Sequence, residues 1–237
     1  MAGNWLLRRP RTDPVGRLFC FPYSGVGASM FSRWPEEIDG IEVCPVQPPG
    51  RENRSREAHY GSYERFAADL VEFLRPYLDR PFAFFGHCAG ALPAFETALR
   101  LAETGLPAPA RLYVSAQVAP HDCPHDRYLD LDEEQLRGEM SNLVTLRGGT
   151  PHPVLIDLAL EVLHEDLEVN RVYRRPAPVA LPGPVTVLEW TEDTEISLDQ
   201  MAGWRHYAEA VEYTALPGGH FDFLSAPPLL MKTLSFL

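Results

Sequence analysis

The sequence predicts an α/β fold, with one mostly parallel β-sheet covered by helices on both faces. Two patterns carry that expectation. Short apolar runs alternate with longer amphipathic ones along the chain, as strands joined by crossover helices require. One of the apolar runs, Pro81 to Gly86, also leads directly into Gly86-His87-Cys88-Ala89-Gly90 and a helical pattern, the strand–turn–helix setting of an exposed nucleophile. With 237 residues, 45% of them hydrophobic, the chain can bury one substantial core, so a single domain over 1–237 is expected.

In chain order, Arg17 to Tyr23 and Ile41 to Gln47 read as strands. Tyr63, Phe66, Leu70, Leu74 and Leu78 recur at helical spacing and give one apolar face to a crossover helix before the Pro81 to Gly86 strand. A helix follows over Ala91 to Glu103, with Pro93 tolerable in its first turn and Gly105 and Pro107 beyond its end. Arg111 to Ala116 and Pro184 to Leu188 are later strands. Between them the alternation breaks. Residues 120–182 carry an acidic helical run from Leu131 to Leu143 and an amphipathic stretch from Val154 to Arg175, with no strand signal. Helices inserted there would sit above the carboxyl edge of the sheet, where a substrate enters, and are expected to form a lid. Ordinary packing helices are the plainer alternative.

The segment Gly86-His87-Cys88-Ala89-Gly90 is a G-x-nucleophile-x-G elbow with cysteine as the nucleophile. Glycines flank Cys88 because the sharp turn brings the chain close to itself. A helix N-terminus beneath the thiol should stabilise the thiolate and lower its pKa, and the Ala89 N–H is placed to meet a tetrahedral oxyanion. A thiol nucleophile needs a base. His220 lies in the late loop Leu216-Pro217-Gly218-Gly219-His220-Phe221, after a strand signal and before the last helix. His59, His152, His164 and His206 read as surface histidines, and His87 as a packing residue beside the site. The acid is expected in Glu189-Trp190-Thr191-Glu192-Asp193, with Asp193 preferred because it lies deepest in the loop and just before Ser197, a helix N-cap; Glu192 is the alternative. The early loop Phe21-Pro22-Tyr23-Ser24-Gly25 should supply the second oxyanion donor through the Ser24 N–H.

A formal net charge of −12 opposes contact with nucleic acid phosphates. No apolar run approaches the roughly 18 residues that span a bilayer, and the start of the chain lacks the apolar core of a signal peptide, so a cytoplasmic protein is expected. Cys20, Cys44, Cys88 and Cys123 show neither paired nor zinc-ligand spacing, and His121 and His125 around Cys123 match no standard zinc pattern. No metal and no cofactor is expected. An acidic partner would have to meet a local basic patch, either Arg51, Arg54 and Arg56 or Arg8, Arg9 and Arg11. The first cluster is the expected docking site, and a solvated arginine-rich loop is the alternative.

With FPYSGVGAS, CPVQPPGRENR, GHCAG and LPGGHFDF in this order, the chain resembles, over nearly its whole length, the type II thioesterases that accompany polyketide and nonribosomal peptide synthetases. The resemblance implies an α/β-hydrolase fold with a helical lid and a thioesterase with a Cys-His-Asp triad. The implied substrate is an acyl or aminoacyl group on the phosphopantetheine arm of an acyl or peptidyl carrier protein, and the implied enzyme is a monomer. It places the nucleophile on Cys88, the acid on Asp193, the base on His220 and the oxyanion donors on Ser24 and Ala89. Two features depart from the family pattern. Its elbow usually reads GHSMG, and small residues usually stand where Glu189 and Trp190 precede the acid. Because a cysteine keeps the acyl group as a thioester, transfer or ring closure onto an amine, alcohol or thiol is the alternative activity. A carrier-binding protein without catalysis is a further one.

Overall fold

A computed structural model describes residues 4–236. These residues form a seven-stranded sheet from β1 (Gly16–Phe21), β2 (Glu37–Ile38), β3 (Ile41–Pro45), β4 (Phe82–His87), β5 (Arg111–Ser115), β6 (Val185–Trp190) and β7 (Val211–Leu216). The spatial order is β2-β3-β1-β4-β5-β6-β7, parallel except for the β2–β3 pair. Every residue of β1 and β4 is buried, which is why GRLFCF and FAFFGH read as apolar runs without alternation. The two-residue edge strand β2 was not expected; it is too short to show a period and is held by pairing with β3.

The helices follow from capping and from one-sided apolar spacing. In α1 (Tyr63–Leu74) the Ser62 side chain accepts the Arg65 N–H, and Tyr63, Phe66, Leu70 and Leu74 are buried. The predicted extension to Leu78 instead tightens into a 3-10 turn over Arg75–Tyr77, because Pro76 cannot continue the α-helical ladder. In α2 (Ala91–Glu103) nearly every side chain is buried, against α1 and under β4 and β5. Between β5 and β6 the chain forms α3 (Glu133–Leu146), started by a reciprocal Asp132–Gln135 capping box, and α4 (Pro153–Val172), started by proline. After β6, Ser197 caps α5 (Leu198–Met201). Beyond it the helix tightens into a 3-10 turn over Ala202–His206, and α6 (Pro228–Leu234) is the last helix. Among the described residues no helix is long and apolar enough to cross a membrane.

This order of strands places the site. Strand β1 lies between β3 and β4, so the chain leaves neighbouring strands in diverging directions and opens a crevice at their carboxyl ends. Phe21 pairs in register with Gly86, which sets the Tyr23–Gly25 loop beside Cys88. At the other end of the sheet Trp190 pairs with Leu216, which sets the loops after β6 and β7 side by side.

Candidate active site

Cys88 begins a 3-10 turn, Cys88–Gly90, between β4 and α2, and its φ of +49° is a left-handed conformation that a non-glycine residue rarely adopts. The flanking glycines are required by space. A Cβ on Gly86 would lie 2.3 Å from the Gly90 carbonyl oxygen and 2.5 Å from Ala91 Cα, and one on Gly90 would lie 2.6 Å from the Phe21 oxygen. The elbow is therefore pressed against the end of β1 as well as against its own helix.

Cys88 and His220 line one cavity of about 410 Å3, together with Ala116, Asp126, Glu195 and Ile196 among others. The four cysteines are free and buried. Asp193 and His220 meet because their loops are stitched together: the Thr191 N–H donates to the Leu216 oxygen at 2.9 Å and the Glu192 N–H to the Gly218 oxygen at 2.9 Å. The Asp193 carboxylate then accepts from His220 Nδ1 at 2.8 Å, while its other oxygen takes the Glu195 N–H at 2.7 Å. Burial alone would raise the Asp193 pKa, but the bond from His220 and its positive charge hold it below the ordinary aspartate value. Glu192 points to solvent. Asp222 turns back to accept the Gly219 N–H at 2.7 Å, shaping the His220 loop without meeting the ring.

The thiol departs from the sequence-based expectation. Burial pushes the Cys88 pKa well above that of an ordinary cysteine, the Asp126 and Glu195 charges push it further, and the Ala89 N–H offsets only part of the rise. A three-residue turn ahead of α2 supplies too little positive potential to outweigh desolvation. Cys88 rests as a neutral thiol.

Glu195 was not singled out in the sequence. Its Oε2 lies 3.3 Å from His220 Nε2, the ring nitrogen left free by Asp193, and its other oxygen pairs with Arg127, which also reaches Glu139 of α3 at 2.8 Å. Two residues beyond Asp193 in a polar loop, it carried no signal of its own. Fully buried His87 bonds through Nδ1 to Ser115 Oγ at 2.9 Å and stacks on Phe223 at 3.9 Å. Burial and the nearby His220 charge push its pKa well down, so it is neutral. Trp190, the bulky residue before the acid loop, is buried and donates to the same Ser115 oxygen at 3.0 Å.

Ser24 is buried, and its hydroxyl donates to Asp126 at 3.2 Å. Ser24 and Ala89 line one small cavity between β1 and the elbow. The arginine cluster is a correction. Arg51 and Arg54 are only 4% and 6% exposed. Arg51 grips the buried Asp166 with two bonds of 2.7 Å, and Arg54 lies over the Trp5 ring and pairs with Glu57. Each guanidinium finds a carboxylate and an aromatic face within the fold, so of the three only Arg56 is exposed. His59, read as a surface histidine, also turns inward, with Nε2 at 2.8 Å from Asp166. Arg8 and Arg11 pair with Glu36 and Glu37.

Residues 16–236 match the family model for the thioesterase domain. The gramicidin S biosynthesis protein GrsT of Aneurinibacillus migulanus is 34% identical over 216 residues, covering 86% of this chain and 82% of that protein. Among solved structures, the RedJ thioesterase from the prodiginine biosynthetic pathway in Streptomyces coelicolor superposes with a TM-score of 0.79 at 32% identity, covering 98% of this chain and 96% of that one. The type II thioesterase BorB from the borrelidin biosynthetic cluster gives a TM-score of 0.82 at 26% identity, covering 98% and 96%. The mostly parallel sheet with its flanking helices is thus the α/β-hydrolase arrangement of those thioesterases.

Proposed function

This chain belongs to the thioesterase family, and on that premise we propose that it hydrolyses acyl or aminoacyl groups from the phosphopantetheine thioester of a carrier protein in polyketide or nonribosomal peptide biosynthesis, through an acyl-enzyme on Cys88. The observation that carries the reading is that His220, which lines the same cavity as Cys88, is paired through Nδ1 with Asp193 at 2.8 Å. Asp193 fixes the histidine tautomer and offsets the charge the ring acquires.

His220 Nε2 takes the thiol proton as Cys88 Sγ attacks the thioester carbonyl carbon. The oxyanion is met by the N–H groups of Ala89 and Ser24. Collapse breaks the bond to the phosphopantetheine sulfur, which leaves with the proton from His220. Water then gives a proton to His220 and attacks the Cys88 thioester, and the acid departs as the proton returns to sulfur. Because the thiol rests neutral, the base is needed at the moment of attack. Glu195 contends with Cys88 for the same ring nitrogen. Of the segment inserted between β5 and β6, the turn at Arg127 and α4 at Arg171 line this cavity and serve as its lid.

Exchange of one thioester for another costs little free energy, so the acyl group on Cys88 stays activated, and an amine can compete with water for it. The test is incubation with an acyl-carrier protein followed by intact-protein mass spectrometry. A single acyl adduct on the parent, absent in Cys88→Ala, and release of free acid that exceeds amide when an amine is added, is the expected result. Turnover by Cys88→Ala within about tenfold of the parent would overturn the nucleophile.

A further inference from the structure

The loop beside the elbow is gripped from the far side by α4. Gly25 has a φ of +79°, and a Cβ there would lie 3.2 Å from Leu163 Cβ, so glycine is needed both for conformation and for close approach to that helix. One turn before α4 ends its contact with the loop, Asp166 accepts the Gly25 N–H at 2.8 Å through Oδ2. The same carboxylate receives both Arg51 nitrogens at 2.7 Å, the Tyr60 hydroxyl at 2.7 Å and His59 Nε2 at 2.8 Å, and it is 1% exposed. Arg51 then donates to the Val26 oxygen at 3.1 Å. One turn along α4, Asn170 donates at 3.0 Å to the Asp126 oxygen that takes the Ser24 hydroxyl.

Successive turns of one helix thus fix the peptides on the C-terminal side of Ser24 and its side chain. The Gly25 N–H is committed to Asp166 and the Ser24 hydroxyl to Asp126, and the Ser24 N–H goes to neither carboxylate. We propose that Asp166 and Arg51 are positioning residues, a paired anchor on α4 and the loop after β3 that holds the Ser24–Gly25 turn in the orientation from which the Ser24 N–H meets the oxyanion. The proposal rests on the function above. It also makes α4 a fixed support for catalysis, so that any opening of the inserted helices that carried α4 away would dismantle the oxyanion site with it.

Two reactions of the same sulfur separate positioning from structure. Acylation by a thioester passes through an oxyanion; alkylation by iodoacetamide does not. Asp166 and Arg51 are not among the largest influences on the Cys88 thiol, so loss of the anchor should slow acylation far more than alkylation. The variants are Asp166→Asn and the double replacement Arg51→Met with Asp166→Leu, which removes both buried charges together and leaves none uncompensated. In each folded variant the ratio of acylation rate to alkylation rate at Cys88 should fall by about 10- to 100-fold, less than the roughly 100- to 1,000-fold that outright removal of an oxyanion donor costs, because the donor is displaced and not deleted. An unchanged ratio in either folded variant would overturn the proposal. So would failure of both to fold, since the anchor would then belong to the framework. If the parent itself shows no acyl adduct on Cys88, the function proposed above fails first, which keeps the two outcomes apart.

Discussion

At the elbow the chain is held by atoms that leave no room; at the α4 anchor it is held by atoms that attract. Gly86 and Gly90 are fixed by backbone contacts that would put an added Cβ 2.3 Å and 2.6 Å from carbonyl oxygens. The Ser24–Gly25 turn is fixed by a buried carboxylate that gathers partners from Gly25, Arg51, His59 and Tyr60. The first restraint is local, steric and indifferent to pH. The second joins residues far apart in the chain, is electrostatic, and depends on Asp166 being ionised. The two segments that carry the proposed oxyanion donors, Ala89 and Ser24, are thus held by restraints of different physical kinds.

Substitution at the elbow should give the largest effect. Gly86→Ala forces backbone against backbone, and we expect a loss of about 4 kcal/mol or more, or failure to fold. Urea unfolding measures it, and a midpoint equal to the parent's would show that the turn yields more than its contacts allow.

Asp166→Asn should cost about 3 kcal/mol at neutral pH, because it leaves Arg51 buried opposite a neutral group. Here the sign of the pH dependence sharpens the contrast. Burial would raise the Asp166 pKa, but the Arg51 charge and the bonds from His59 and Arg51 hold it far below the ordinary aspartate value. The stability this confers is present above the unfolded pKa of about 3.9 and is lost as pH falls through the folded value. The gap between parent and Asp166→Asn should therefore narrow below about pH 4, whereas the deficit of Gly86→Ala should stay constant. Parallel acid-unfolding curves for parent and Asp166→Asn would remove the electrostatic half of the comparison.

A smaller effect belongs to Glu195, which lines the Cys88 cavity. Its charge helps to raise the Cys88 pKa, so Glu195→Gln should move the pH profile of Cys88 alkylation to lower pH and speed labelling a few-fold at neutrality. A profile moved upward would show that Glu195 acts on the sulfur by another route. The smallest effect is expected at Arg56. With Arg51 and Arg54 committed inside the fold, Arg56→Glu should leave KM for a carrier-bound thioester within about twofold, the scale of an ordinary surface substitution. A tenfold rise would restore a docking role to this one exposed arginine.

The same contrast explains what could be read in advance. The elbow was visible in five consecutive letters because close packing of chain against chain writes itself locally, as glycine. The strands were visible because burial on both faces removes alternation. Asp193 could be placed by its depth in the loop after β6, and the structure sets it against His220. The anchor was invisible because Arg51 and Asp166 lie 115 residues apart and each, taken alone, resembles an ordinary surface charge. For the same reason Arg51 and Arg54 look in the sequence like a basic patch, and His59 like a surface histidine. The thiol was misjudged because desolvation depends on how completely the cavity walls close, which no short motif records.

Strands β5 and β6 are neighbours, with Leu112 paired to Val185, although all the inserted helices lie between them. The connection leaves the sheet and returns to the adjacent position, so from the viewpoint of loop closure its length is nearly free. Doubling such a segment costs only about 0.6 kcal/mol in chain entropy. Residues between Arg127 and the anchor at Asp166 can therefore be gained or lost, and the wall that Leu129 and Asp130 give the Cys88 cavity reshaped, while the sheet beneath scarcely registers the change.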